Sequence, residues 1–154
     1  HPYLYLSNEV ISNSEIDLLA LETDIVDELV HFPGVSTAVS SIALEGGIVA
    51  DTYLTQAMTN NYHAKRSGNV YLVFDPGWFI NDLDGLSVTV VHGSPWPYDT
   101  FVPIIFAGTN LEPQTVSRKV HTVDVALTLA NIVGAKPPSG ASGAVLLEVL
   151  GQKP

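Results

Sequence analysis

Five histidines carry most of the chemistry that residue type alone suggests in this sequence: His1, His31, His63, His92 and His121. There is no cysteine, which excludes a thiolate nucleophile, a thiolate metal site and a disulfide framework. No two histidines have the HExxH spacing of a zinc protease, and there is no GxSxG elbow, P-loop or GxGxxG turn. His31 follows a long apolar periodic stretch and sits beside Phe32-Pro33, where a cation suits the negative end of a helix; it reads as structural. His63, before Ala64-Lys65-Arg66, reads the same way. His92 has a different setting. A run of Val and Thr ends there in Gly93-Ser94-Pro95, with Trp96, Tyr98 and Asp99 next. Strand ends are where ligands gather in α/β sheets. His92 therefore reads either as a turn histidine bonded to a nearby carbonyl or as a metal ligand. One imidazole does not make a catalytic zinc site, which takes about three protein ligands.

Composition narrows the function classes. The chain has 154 residues, 46% of them hydrophobic, which is one domain's length with enough apolar side chain for a core. Charged residues are 14%, which excludes intrinsic disorder. Net charge is −10 and only six residues are Lys or Arg, so neither a nucleic-acid groove nor a polybasic membrane anchor is expected. No Lys or Arg occurs from His1 to Ala64, and the acids there read as a solvated face. No apolar run reaches the roughly 18 residues of a membrane span. The chain opens on His1-Pro2 with no basic signal-peptide region and reads as a strand almost at once, as if cut from something longer.

The elements that must position these residues can be read along the chain. Tyr3–Leu6 is a short strand. Ser12 and Glu15 have capping-box spacing for a helix through Val30, with Ile16, Leu19, Thr23, Val26 and Val30 on one apolar face and Leu18, Leu21, Ile25 and Leu29 beside it. Val35–Leu44 reads as a strand broken by Gly46-Gly47. Asp51 or Thr52 caps a helix through Asn61 that carries Tyr53, Leu54, Ala57 and Met58 inward. Asn69–Phe74 is a strand ended by Asp75-Pro76-Gly77. Residues 1–80 thus read β-α-β-α-β, for which a split βαβ, ferredoxin-like closure is natural. Leu86–Val91 and Phe101–Phe106 read as strands, the second buried. Thr122 can cap a helix over Val123–Val133 that is apolar nearly all round, with Gly134 as its stop, and Ala144–Leu150 closes the chain.

Two blocks resemble a known family. The stretch His92-Gly93-Ser94-Pro95-Trp96-Pro97-Tyr98-Asp99-Thr100-Phe101-Val102-Pro103-Ile104-Ile105-Phe106-Ala107-Gly108 resembles the C-terminal signature of the alkaline phosphatase superfamily. The branch it looks most like is the type I phosphodiesterase/nucleotide pyrophosphatase group with its periplasmic PafA-like alkaline phosphatases. Their following helix, TDIAPTLAxxLGxxPPSGxxG, is similar to Thr122–Gly134 with Pro137-Pro138-Ser139-Gly140, and Arg66-Ser67-Gly68-Asn69-Val70 resembles their RSGDV strand start. The likeness runs from about Arg66 to Leu150.

The resemblance implies an α/β fold: a ferredoxin-like, cap-like subdomain at 1–80, followed at 81–154 by the C-terminal strands and helix of an alkaline-phosphatase-like sheet. It implies the C-terminal fragment of a periplasmic or secreted, metal-dependent phosphate-ester hydrolase, with two zinc ions in the intact enzyme. The family's histidine in the HGSP block ligates one zinc, and that position is His92. The nucleophile and the other ligands lie upstream in such proteins, so no catalytic residue is expected in this chain, nor tight zinc, nor activity without its partner, the rest of a parent chain. Where the family usually has His before Val-Pro, this sequence has Phe101, read as a packing residue; Tyr98, Asp99 and Asp124 read as scaffold. A truncated sheet would expose apolar edges and invite dimerisation, and the Val125, Leu129 and Ile132 surface is expected to be exposed or covered by Val145–Leu150. The competing readings are a non-catalytic α/β interaction module and a superfamily member that kept the fold and lost the chemistry.

Overall fold

The computed structural model describes residues 3–80, 91–109 and 111–151. It divides into two compact units, His1–Phe101 and Val102–Pro154. The change of character expected near residue 80 abuts 81–90, outside the described residues, as does most of the strand expected over Leu86–Val91; Val91 itself has no regular structure.

The first unit is built on three strands, β1 (Tyr3–Leu4), β2 (Val35–Ser40) and β3 (Val70–Phe74), in the order β1-β3-β2. Both outer strands run antiparallel to β3, so they are parallel to each other with β3 inserted between them. This is the split βαβ arrangement the element order implies. Tyr71 pairs with Tyr3 on one side and with Val39 on the other. Successive strand residues face opposite sides. Val39, Tyr71 and Val73 join Leu44 and Met58 in an apolar cluster on one face. The other face, with Ala38, Ser40 and Val70, lies under a helix.

That helix, α2 (Leu18–Leu29), starts later than the Ser12 capping box implies. Ser12 instead ends a four-residue helix, α1 (Asn8–Ile11), where its hydroxyl donates to the Asn8 carbonyl at 2.7 Å. Asp17 is the cap of α2, accepting from the Ala20 N–H at 3.1 Å. The inward stripe is also rotated. Leu18, Leu21, Ile25, Val26 and Leu29 are half-buried, whereas Leu19, Thr23 and Val30 are exposed. The most buried residue of the helix is Glu22, only 1% exposed. It accepts from the Ser40 hydroxyl at 2.6 Å, Asn69 Nδ2 at 3.2 Å and the Ile42 N–H at 3.3 Å.

Ser40 explains a second departure. The strand expected to run to Leu44 stops at Ser40, whose Oγ accepts from the Ala43 N–H and caps α3 (Ser41–Gly46). Gly47, at φ 65°, ends that helix in the left-handed conformation. The helix expected through Asn61 forms as α4 (Tyr53–Asn61), with Thr52 and Thr55 in a reciprocal capping box. Met58 is buried as expected, but Tyr53 is half exposed. Gly68 has no room for a side chain: a Cβ would stand 2.6 Å from the Leu4 carbonyl oxygen. β1 and β3 meet at that point, which accounts for the glycine in Arg66-Ser67-Gly68-Asn69-Val70.

The second unit contains α6 (Asp124–Val133), which ends at Gly134, and a 3-10 turn at Leu147–Leu150. Thr122 is not the cap. No side chain caps α6; Asp124, its first residue, instead ties down the chain around it, accepting from the His121 and Ala144 N–H groups at 2.8 Å each. Thr128 Oγ1 donates to the Asp124 carbonyl and accepts from the Leu146 N–H. Arg118 Nη2 pairs with Glu148 at 2.8 Å, and Gln114 donates to the Glu148 carbonyl. The helix is not enclosed: Leu129 and Ile132 are each 46% exposed. Nor do residues 101–106 form the expected buried strand; Phe101 is 89% exposed and Ile105 84%. A strand needs a hydrogen-bonding neighbour as well as propensity, and none lies beside this segment among the described residues. No helix among the described residues is long and apolar enough to cross a membrane.

Two outcomes are expected. Replacing Glu22 with Ala leaves the Ser40 hydroxyl, Asn69 Nδ2 and the Ile42 N–H without their acceptor and should lower the free energy of unfolding by about 3 kcal/mol; Glu22→Gln, which keeps one acceptor, should lose about half of that. Denaturant titration followed by tryptophan fluorescence measures it, since both tryptophans lie in the first unit. In the second unit, the Ala144 and His121 N–H groups hold the Asp124 carboxyl below its usual range, and Arg118 does the same for Glu148. A depressed carboxyl stabilises the fold above the ordinary carboxyl range, and the contribution is lost as pH falls through the lowered value. The Ala144 amide should therefore lose protection from exchange as pH falls below about 4, and Asp124→Asn should flatten that dependence.

Candidate functional site

His92 lies on an irregular turn of the first unit, in a segment whose regular structure is confined to one four-residue helix, α5 (Pro97–Thr100). Such a segment has few backbone hydrogen bonds of its own, so side chains must set its course. Gly93 has φ 105°, a conformation other residues rarely adopt. The next residue, Ser94, donates its N–H to Asp99 Oδ2 at 2.9 Å. Asp99 is thereby tied across the turn. Ser94, through its side chain first and its N–H second, with His92 nearby, holds the Asp99 carboxyl below the usual range. The Ser94 hydroxyl is buried without a hydrogen bond of good geometry, though close enough to the carboxylate to favour its charge.

Four further bonds fasten the segment to the end of β3, to the turn after it and to α4. Trp96 Nε1 donates to the Phe74 carbonyl at the end of β3 (2.8 Å), and its ring packs against the apolar cluster. Tyr53 Oη donates to the Pro95 carbonyl at 2.8 Å and lies 3.1 Å from Thr100 Oγ1. Tyr98 Oη accepts from the Gly77 N–H at 3.1 Å. Tyr98 and Asp99 thus both make hydrogen bonds that hold the segment in place.

His92 itself is exposed. Among the described residues no three His, Asp or Glu side chains converge as a metal site. The donor set around His92 therefore does not by itself fit a zinc ion; it offers one imidazole on a turn fixed from several sides. The other histidines are elsewhere. His31 Nδ1 donates to the Asp27 carbonyl at the end of α2, and His63 Nδ1 accepts the Lys65 N–H, so both serve local turns. His121 is an exposed residue before α6, and His1 lies outside the described residues. Phe101 does not pack as expected, its ring being almost wholly exposed.

The sequence reading missed Tyr53 and Glu22. Glu22 falls four residues after Leu18 and three before Ile25, which places it on the inward face by helical spacing alone. Tyr53 gives no such signal, because its partners lie 42 and 47 residues further along. A concavity of the second unit, about 990 Å³, is bordered by Ile104, Phe106, Leu129, Ile132 and the Arg118–Glu148 pair. It holds no histidine.

No family model matches the chain. Over 142 residues it is 28% identical to alkaline phosphatase PhoV of Synechococcus elongatus, a match that covers 92% of this chain and 25% of that protein. It is 30% identical over 150 residues to a calcium-transporting ATPase of Myroides odoratus, covering 97% of this chain and 27% of the relative. The crystal structure of wild-type alkaline phosphatase PafA matches with a TM-score of 0.78 at 23% identity, over 96% of this chain and 28% of that one; at such identity the likeness is one of fold. The chain thus spans about a quarter of the length of the curated relatives it matches. Nearly the whole chain is thus similar in sequence to a protein named alkaline phosphatase, and its fold is that of the matching stretch of PafA.

Proposed function

We propose that this chain is the C-terminal part of a metal-dependent phosphate-ester hydrolase and that His92 is its one metal ligand. The observation that carries the reading is the match of 92% of the chain to a protein named alkaline phosphatase, with an exposed histidine inside the matched length beside a hydrogen-bonded turn. In such an enzyme two zinc ions would activate the nucleophile and clamp phosphoryl oxygens. The residues of this chain do something narrower. Asp99, Trp96 and Tyr53 hold the turn, and the turn presents His92. On this reading residues 1–80 form a cap-like subdomain, residues 81–154 belong to the phosphatase-like core, and the protein works in the periplasm or outside the cell. The relative named as a calcium-transporting ATPase favours a second reading, in which the substrate is a nucleoside triphosphate rather than a simple ester.

With one imidazole and no nucleophile, purified residues 1–154 should not hydrolyse p-nitrophenyl phosphate, its bis ester or ATP above a blank with zinc added. Activity that scales with protein after extensive repurification would overturn the reading. The product of the complete reading frame should hydrolyse at least one of the three, and which one it prefers separates the ester from the triphosphate reading. In that protein His92→Ala should lose metal by elemental analysis and most of the rate; normal metal content and rate would make His92 a turn residue only.

A further inference from the structure

Tyr53 occupies an unusual position for a tyrosine. It sits in the first turn of α4 and is 50% exposed, so its ring contributes little to the core. Yet its hydroxyl is fully used, bonding the Pro95 carbonyl and Thr100 Oγ1 at opposite ends of the segment that follows His92. The Thr100 hydroxyl has a single proton, which it gives either to Tyr53 Oη or to the Trp96 carbonyl 3.2 Å away. Pro95 has no N–H, and among the described residues Tyr53 is the donor its carbonyl finds. Loss of that hydroxyl leaves the segment after His92 held by the Ser94–Asp99, Trp96–Phe74 and Tyr98–Gly77 bonds.

We propose that Tyr53 is a positioning residue: its hydroxyl clamps the His92 turn from α4 and fixes where the imidazole points. The site's geometry is then set partly by a helix of the small subdomain, outside the Arg66–Leu150 stretch that carries the family resemblance. The functional weight of the clamp rests on the reading of His92 as the working imidazole; the clamp itself rests on the hydrogen bonds alone.

Tyr53→Phe keeps the half-exposed ring and removes only the hydroxyl. In the 154-residue chain, NMR should show the Ser94 amide exchanging with solvent about fivefold faster, the loss expected for one neutral hydrogen bond. The His92 Cε1–H resonance should shift or broaden, and the Val73 and Ala43 amides should stay as they were. Unchanged Ser94 and His92 signals would overturn the proposal. Equal acceleration at Val73 would overturn it too, because it would mean general loosening instead of a released turn. In the complete protein the same substitution should lower kcat more than it raises KM for whichever phosphate compound is turned over. A wild-type complete protein that hydrolyses none of them would sink the proposed function, while the two NMR signals would still decide the clamp.

Discussion

A carboxyl group taken out of water must find donors in the protein, and the Glu22 carboxyl finds them on three different elements. Ser40 ends β2, Ile42 opens α3 and Asn69 leads into β3, so one side chain of α2 fixes the relative placement of all three. Breaking such an arrangement costs more than its net contribution, because each stranded donor keeps its desolvation penalty. The apolar cluster beneath the opposite face supplies burial but little direction. The polar contact supplies register: α2 cannot slide along the sheet without losing Ser40 or Asn69. The sheet is therefore a fixed frame before any turn is hung on it.

The His92 turn depends on that frame. Trp96 reaches the last carbonyl of β3, and Tyr53 reaches Pro95 from α4, whose Met58 packs in the same cluster as Val73. An imidazole on an irregular turn gains a defined direction only if the backbone on its flank is held by groups that are themselves held. Here each holder belongs to an element packed on the sheet. This is the preorganisation a metal-ligating or phosphate-facing histidine requires.

Local signals made the first half legible. The β-α-β-α-β order follows from apolar periodicity, and Thr52 and Gly47 punctuate it where their chemistry dictates. What failed did so for identifiable reasons. Ser12 and Asp17 are both able to cap; Ser12 ends α1, and Asp17 caps the helix that half-buries Leu21, Ile25 and Leu29. Ser40 is both the last residue of a strand and the cap of a helix, so the β-branched run around it masked α3. Residues 101–106 have strand propensity without a described neighbour, and propensity does not supply hydrogen bonds. His92 was legible through the motif around it, whereas Tyr53 was not, since a contact 42 residues away leaves no periodic trace.

The acids deserve a different account from the one their abundance suggests. Most are solvated, as Asp24, Asp27 and Glu28 are. But Glu22, Asp99 and Asp124 each accept backbone N–H groups at places where the chain changes direction. Asp124 joins the approach to α6 with the strand-less segment at Ala144, and Gly143 makes room there, since a Cβ would stand 2.4 Å from the Val123 carbonyl oxygen. In the second unit, with Leu129 and Ile132 half open to solvent, these ties hold what apolar burial does not. A carboxylate accepting N–H groups is a directional fastener that works at the surface edge of a small core, where another leucine would add area but no geometry. The low Lys and Arg content fits this use: the donors these carboxylates need are mostly the backbone's own, and only Glu148 among the ties described takes an arginine.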